Sequence, residues 1–269
     1  MNKKVGFIGS GNMAQAMIGG MIQSKTVPAE NIMASAYTDA TLSKVKEAFQ
    51  INVTTDNEEV ARFADVLFLA VKPDQYNGVI QQVKGVVDSE TIVVSIAAGI
   101  TLESMKNAFG KEIKAVRSMP NTPSLVGEGL SAVCPNDLLN EEDLQIVTTL
   151  FESFGKAELV QEYLMDAIPA ISGSSPAYVF MFIEALADGG VKQGLPRQQA
   201  YRLAAQAVLG AAKMVLDTGI HPGELKDQVC SPGGATIEAV STLEKEQFRG
   251  AVLAAMESCT NKVKELAGS

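Results

Sequence analysis

A turn-forming segment near the C-terminus has the features of an anion site. Residues 231–237 read Ser-Pro-Gly-Gly-Ala-Thr-Ile, a turn that leads into a predicted helix whose first hydroxyl belongs to Thr236. Free backbone N–H groups at a helix start, together with the helix dipole, favour a bound carboxylate. Ordinary capping by a hydroxyl residue is the alternative, but two adjacent glycines expose more backbone donors than capping requires. The segment therefore predicts a site for a small carboxylate.

A second glycine motif lies at the opposite end of the chain. Residues 9–14 read Gly-Ser-Gly-Asn-Met-Ala, between a predicted strand at 5–8 and a predicted helix at 13–22. In this context the glycines are typical of dinucleotide binding, because they allow a tight turn and close approach of the backbone to a pyrophosphate. An ordinary strand–helix turn is the alternative. The two motifs together indicate a reductase that acts on a small acid.

The residues after the second predicted strand, 31–35, bear on the choice of dinucleotide. NAD-preferring sites usually place Asp or Glu at this strand end to hold the ribose hydroxyls. Here residues 34–38 read Ala-Ser-Ala-Tyr-Thr, and the first carboxylate is Asp39. Small hydroxyl residues such as Ser35 suit a 2′-phosphate better than an acid does. We therefore predict NADPH as the cofactor, with NADH accepted to a lesser extent, since no arginine lies nearby.

Continuous apolar runs predict further strands at 66–71, 91–96 and 113–116. Such runs fit parallel strands that are buried on both faces, and ligands bind outside the carboxyl ends of parallel strands. Candidate cofactor residues therefore follow these runs, namely Ala70, Val71, Lys72, Pro73, Ala97, Ala98 and Asn121. The alternatives are a solvated Lys72 before a turn proline and an Asn121 that caps its own turn.

The chain after residue 162 has a helical pattern. Pro176 and Pro196 stand at predicted helix starts, and Gly194 and Gly219 follow the helix ends. The predicted fold class is α/β, an N-terminal Rossmann-type doubly wound parallel sheet followed by an all-α C-terminal domain, to which the family resemblance given below adds a role in dimerisation. We place the domains at residues 1–162 and 163–269.

Composition and charge exclude several classes of function. The 269 residues include 22 Lys and Arg against 31 Asp and Glu, for a net charge of −9. This balance argues against a nucleic-acid or anionic-membrane partner. Cys134, Cys230, Cys259 and the single histidine, His221, match neither a disulfide framework nor a metal site. We expect a cytoplasmic protein with free thiols, no metal, a structural His221 and no stretch that could span a membrane.

Taken together, these residues resemble the pyrroline-5-carboxylate reductase family along essentially the whole chain. The resemblance rests on VGFIGSGNMA (5–14), AVKP (70–73), MPNTP (119–123), SGSSPAY (172–178), LADGGV (186–191) and HPGELKDQVCSPGGATI (221–237). It implies hydride transfer from NAD(P)H to the imine carbon of 1-pyrroline-5-carboxylate, which gives L-proline. It further implies a homodimer through the helical domain, and a decamer of five dimers in many members.

The resemblance also assigns roles to individual residues. Around the cofactor it implies the glycine loop, which is Gly9, Ser10, Gly11, Asn12 and Met13, together with Ser35, Asn57, Val71, Lys72 and Ala98. For the substrate it implies Ala235 and catalytic Thr236 on the turn formed by Ser231 and Gly234, and also Glu162, which matches a position that contacts proline. From the residues alone, Glu162 and Asp166 could face a substrate cation or form a solvated helix start.

The sequence departs from the family pattern at three positions. Ser175 replaces a glycine, Ala235 replaces a threonine, and Gln228 stands where some members carry an asparagine that touches the cofactor. Two alternative functions remain, a β-hydroxyacid dehydrogenase and a non-catalytic NADP-sensing protein. The first would need a lysine in the helical part, yet Lys192, Lys213 and Lys226 do not lie in that family's motif. The intact Gly-Gly-Ala-Thr turn argues against the second.

Overall fold

The structure, a computed structural model, describes residues 1–267, which divide into two compact units. The first unit comprises Met1–Ser174 together with the chain from Cys259 onward, and the second comprises Ser175–Ser258. This division falls later in the chain than the boundary expected at 162/163, which stays a prediction. The chain therefore leaves the first unit once and returns to it through its last helix.

The first unit contains one eight-stranded sheet. Its strands are β1 Val5–Ile8, β2 Ile32–Ser35, β3 Asn52–Thr54, β4 Val66–Leu69, β5 Ile92–Ser95, β6 Lys114–Met119, β7 Gly129–Pro135 and β8 Gly155–Leu159. The order is β3-β2-β1-β4-β5-β6-β7-β8, and the first six strands are parallel, in the arrangement of dinucleotide-binding folds. β7 runs antiparallel to β6, and β8 runs parallel to β7. The predicted fold class is confirmed, with one reversal of direction that the sequence did not reveal.

Helices cover both faces of this sheet. They are α1 Asn12–Gln23, α2 Asp39–Phe49, α3 Asn57–Phe63, α4 Pro73–Val83, α5 Leu102–Phe109 and α6 Glu141–Glu152. Alternate strand residues point to opposite faces, so Phe68 packs in the core formed with α1 and α6, whereas Leu67 and Leu69 pack against α3, α4 and α5. The rings of Phe7 and Phe68 stack with their centroids 4.8 Å apart. Two buried layers thus hold the carboxyl ends of the strands in place.

The second unit is helical throughout. It contains α7 Ser175–Lys192, α8 Arg197–Thr218, α9 Pro222–Val229, α10 Ala235–Lys245 and the first part of α11 Phe248–Ala267. Its buried core is small and consists of Ala187, Ala200 and Ala204, which pack α7 closely against α8. Many large apolar side chains stay exposed, among them Phe180, Met181, Leu203 and Leu209. An exposed apolar surface of this kind is typical of a protein–protein interface.

One helix meets the length and composition of a membrane span. It covers Pro169–Lys192 with a mean hydropathy of 1.2, and 17% of its apolar window is buried. The expectation that no stretch could span a membrane is therefore wrong by this criterion. Helices in cores and interfaces of water-soluble proteins meet the same criterion, so the helix does not by itself establish a span.

Candidate functional site

The glycine loop begins directly after β1, against the residues that follow β4. Gly9 has a φ of +100°, and a Cβ atom built there would lie 2.4 Å from the carbonyl oxygen of Ala70. Its N–H donates to the Ser35 carbonyl at 3.2 Å. Only glycine tolerates this combination of positive φ and close contact. The loop is therefore held against the ends of both neighbouring strands.

The end of the loop leaves backbone donors available at the start of α1. Gly11 is the N-cap with an ordinary φ of −71°, and no side chain caps this helix. A Cβ atom at Gly11 would meet nothing within 4 Å, so the space in front of the helix is open. Uncapped N–H groups beside open space fit a pyrophosphate, since anions bind at helix N-termini.

A crevice of about 820 Å³ runs along the carboxyl ends of β1, β2 and β4. Its volume is in the range of ligand pockets. The predicted cofactor residues that line it are Gly9, Ser10, Gly11, Asn12, Ser35, Asn57, Ala70, Val71 and Lys72. The structure therefore brings together, in one cavity, residues from four separate segments of the chain.

Five other predicted cofactor residues, Met13, Pro73, Ala97, Ala98 and Asn121, do not line this crevice. Met13 packs against the core that contains Phe7 and Phe68, and Ala97 is buried in the core on the other face of the sheet. The Asn121 amide donates to the Ser172 carbonyl at 3.0 Å and accepts the Leu130 N–H at 2.8 Å. The geometry favours a structural role for Asn121, and contact of these five residues with a cofactor stays a prediction.

The crevice also contains residues that sequence reasoning missed. They are Ile8, Gln15, Ala36, Tyr37, Thr38, Thr41, Lys44, Thr55, Gln75 and Gln82, with Gly78 and Val79. Ser35 donates its hydroxyl to Asn57 Oδ1 at 2.6 Å, and the Asn57 amide donates to Gln82 Oε1 at 2.8 Å. For Thr38, Thr41 and Lys44 the sequence did contain a usable signal, because their spacing of three residues places them on one face of the helix after β2.

Glu162 and Asp166 both form an ion pair with the side chain of Arg117. Arg117, on β6, has a side chain that is only 6% exposed; its guanidinium lies 2.6 Å from Asp166 and 3.7 Å from Glu162. Glu162 also accepts the backbone N–H of Leu102, the first residue of α5, at 2.7 Å. The segment is a short 3-10 helix, Glu162–Leu164, rather than an α-helix. Glu162 is thus held in one orientation, and its contact with substrate stays a prediction.

A buried thiol lies close to this ion pair. Cys134, on β7, is a free cysteine and is 5% exposed. Burial raises its pKa above the ordinary value, and the negative charge of Glu162 adds to that rise, while Arg117 opposes it. The thiol is therefore protonated near neutral pH and is a poor nucleophile.

The predicted carboxylate segment forms the start of α10 in the second unit. The Gly234 N–H donates to the Ser231 carbonyl at 3.0 Å, and Gly233 has a φ of +68°. This closes a tight turn that leads directly into the helix at Ala235, with no side-chain cap on the helix. Thr236, partly exposed, is the second residue of the helix. The structure thus places Ser231, Gly234, Ala235 and Thr236 together around free N–H groups, as an anion site requires.

The single histidine has a structural role, as expected. His221 is the N-cap of α9, and its Nδ1 accepts the N–H of Gly223 at 3.0 Å. Within residues 1–267, no cluster of three or more His, Cys, Asp and Glu side chains is arranged to hold a metal ion.

Comparison with known proteins identifies the family. Residues 4–99 match a family model described as NADP oxidoreductase, coenzyme F420-dependent, and residues 162–266 match one described as pyrroline-5-carboxylate reductase dimerisation. A curated pyrroline-5-carboxylate reductase of Escherichia coli is 48% identical over 269 residues and covers 100% of both chains. The chain belongs to the pyrroline-5-carboxylate reductase family. This confirms the predicted family, the reductase function, the class of NAD(P)H-dependent oxidoreductase and NADP as the cofactor.

Solved structures agree with this assignment. A pyrroline-5-carboxylate reductase from Coxiella burnetii superimposes with a TM-score of 0.91 at 34% identity, covering 99% of each chain. A pyrroline carboxylate reductase from Plasmodium falciparum, solved with NADP bound, gives 0.89 at 36% identity and covers 100% of this chain and 99% of its own. The dimerisation region includes the whole of the apolar helix Pro169–Lys192. These comparisons support a small-molecule substrate and a homo-oligomer.

Proposed function

We propose that the chain reduces 1-pyrroline-5-carboxylate to L-proline, with NADPH preferred over NADH. The observation that carries this proposal is the pair of uncapped helix starts that follow glycine turns, at α1 and at α10. Each presents backbone N–H groups to an anion. A dinucleotide pyrophosphate fits the first, and the carboxylate of a cyclic imino acid fits the second.

The first unit holds and orients the cofactor. Backbone N–H groups at the start of α1 bind the pyrophosphate, and Gly11 leaves room for it because it carries no side chain. Val71 and Lys72, at the end of β4, line the same crevice and limit the position of the nicotinamide half. When bound, NADPH supplies the hydride that adds to the imine carbon. The protein contributes by fixing the two reactants at near-attack distance.

Thr236 acts at the ring nitrogen of the substrate, which must gain a proton during the reaction. A protonated imine is already a good hydride acceptor, so no metal or strong acid is needed. The first-turn N–H groups of α10 bind the carboxylate, and the Thr236 hydroxyl donates a hydrogen bond to the lone pair of the imine nitrogen before that nitrogen is protonated. Because a threonine hydroxyl is too weak to act as a free acid, it relays a proton from water. Glu162, already oriented by Leu102 and Arg117, is the second substrate contact.

The proposal extends to the oligomer and to the location of the protein. The second unit forms a homodimer through its exposed apolar side chains, such as Phe180 and Met181. Five such dimers form a decamer. We infer that the protein is soluble and cytoplasmic, with Pro169–Lys192 covered by the partner subunit rather than by lipid. Sedimentation of the purified protein reports both levels of assembly, since dimer and decamer differ fivefold in mass.

The activity test follows NADPH absorbance with racemic 1-pyrroline-5-carboxylate, with NADH and a six-membered cyclic imine in parallel. We expect rapid oxidation of NADPH with the five-membered imine and a lower kcat/KM with NADH. Tight NADPH binding without turnover on any imine would support the NADP-sensing alternative. Oxidation of 3-hydroxy acids in place of imine reduction would support the β-hydroxyacid dehydrogenase.

The role of Thr236 is tested by substitution. Thr236→Val removes the hydroxyl and keeps the shape, so kcat should fall about tenfold or more, the loss typical of a positioned donor. Thr236→Ser should retain most of the activity because it keeps the hydroxyl. Thr242→Val is the matched control, since Thr242 lies on the same helix and bonds only the Glu238 carbonyl, at 3.2 Å. Unchanged kinetics in Thr236→Val would remove Thr236 from the mechanism.

A further inference from the structure

One face of α2 forms part of the wall of the cofactor crevice. Thr38, Thr41 and Lys44 are spaced three residues apart, so they lie above one another on the same side of the helix. All three line the crevice, whereas Asp39, the first carboxylate after β2, does not. Residues that follow β2 are the ones that meet the adenosine ribose in dinucleotide-binding folds. This face of α2 is therefore next to the ribose position.

The donors nearest to that position are already engaged within the protein. The Ser35 hydroxyl donates to Asn57, and the Asn57 amide donates to Gln82. A phosphate oxygen can only accept hydrogen bonds, so it gains little from a hydroxyl whose proton is directed elsewhere. The Thr38 and Thr41 hydroxyls lie 3.0 Å apart and are exposed, so one of their two protons stays available to a ligand. These groups alone do not neutralise the two negative charges of a 2′-phosphate.

Lys44 supplies a positive charge at this place. It is exposed on the crevice side of α2 and forms no ion pair with any described residue. The other cation that lines the crevice is Lys72, which follows β4, on the far side of β1 from β2. Lys72 is thus placed toward the pyrophosphate and nicotinamide, and Lys44 toward the ribose.

We propose that the Lys44 ammonium group, together with the hydroxyls of Thr38 and Thr41, binds the 2′-phosphate of NADPH and sets the preference for NADPH over NADH. An ammonium group is an effective point charge for phosphate, and no arginine is needed for this purpose. The inference rests on the proposed use of NADPH and adds the residue that determines it. Its effect is confined to ligands that carry the 2′-phosphate, because NAD lacks the group that Lys44 contacts.

The test measures binding in the absence of substrate. The Kd values of NADP⁺, NAD⁺, 2′,5′-ADP and AMP are determined by calorimetry for the wild type, Lys44→Gln and Lys44→Glu. A partly exposed ion pair contributes about 1 kcal/mol, so Lys44→Gln should raise the Kd values of NADP⁺ and 2′,5′-ADP about fivefold. Lys44→Glu should weaken them further. The Kd values of NAD⁺ and AMP should stay within twofold of the wild type.

Lys46→Gln is the matched control, because Lys46 lies on the same helix and is exposed but does not line the crevice. An equal effect of Lys46→Gln would mean that general charge is responsible and would overturn the inference. Equal weakening of NADP⁺ and NAD⁺ by Lys44→Gln, or no weakening of either, would also overturn it. Turnover of 1-pyrroline-5-carboxylate by the wild type is measured separately, so that failure of the proposed function and failure of this inference are distinguished.

Discussion

The two glycines of the cofactor loop should respond to the same substitution in different ways. Gly9 has a positive φ, and a Cβ atom there would lie 2.4 Å from the Ala70 carbonyl oxygen. Gly11 has an ordinary φ and would meet no protein atom within 4 Å. Gly9→Ala therefore alters the protein itself, whereas Gly11→Ala alters only the space that a pyrophosphate occupies.

The magnitudes follow from these distances. The positive φ of Gly9 costs an alanine about 1–2 kcal/mol, and displacement of the Ala70 backbone adds about 1–3 kcal/mol. The sum of about 2–5 kcal/mol lowers the Tm by about 4–20 °C for a unit of this size. Gly11→Ala should change the free energy of unfolding by less than about 0.5 kcal/mol. It should nevertheless weaken NADPH about tenfold or more, because the methyl group stands where the backbone approaches the pyrophosphate.

Two assays separate the effects, namely urea denaturation without cofactor and titration of NADPH by calorimetry. We expect Gly9→Ala to lose stability and affinity together, and Gly11→Ala to lose affinity alone. A Gly9→Ala protein as stable as the wild type would refute the argument from φ and contact distance. A Gly11→Ala protein that binds NADPH normally would refute the placement of the pyrophosphate at the start of α1.

Two further predictions concern the buried groups of the first unit. Asp166→Ala should lower the free energy of unfolding by about 2–3 kcal/mol, because it leaves the buried Arg117 guanidinium with one carboxylate at 3.7 Å. Arg117→Met should lower the free energy of unfolding by less, about 1 kcal/mol, because both carboxylates are more than a third exposed and can be rehydrated. A larger loss for Arg117→Met than for Asp166→Ala in urea denaturation would contradict this. Cys134, whose pKa is raised by burial, should react with iodoacetamide at pH 8 at least about tenfold more slowly in the native protein than in urea. Peptide mass spectrometry reports its alkylation, and equal rates in both states would show that the thiol is accessible.

The central strands were predictable because their signal is local. β1, β4 and β5 are buried on both faces, so each appears in the sequence as an uninterrupted apolar run. The glycine loop was predictable for the same reason, since its spacing is contained within six residues. The edge strands β3 and β8 were not predicted, because their side chains are mostly exposed or half-buried and so have no apolar run.

The candidate site was only partly predictable. The sequence placed Glu162 and Asp166 close together but could not supply Arg117, which reaches them across 45 and 49 residues of chain. The same holds for Asn121, whose amide bonds depend on the fold around Ser172 and Leu130. Hydrogen-bond partners that are distant in sequence have no fixed spacing, so no sequence motif predicts them.

The sequence by itself determined the family, the glycine loop after β1 and the glycine turn that leads into Thr236, because each depends on neighbouring residues and on backbone freedom at glycine. The tertiary structure decided which side chains share the crevice. It placed Lys44 in the crevice wall because β2 lies beside β1 in the sheet. This adjacency results from packing and cannot be read from the order of the strands along the chain. The tertiary structure also engaged the Asn121 amide with Ser172 and Leu130, away from the crevice wall. Local spacing thus specifies the backbone site, and long-range packing specifies the side chains that surround it.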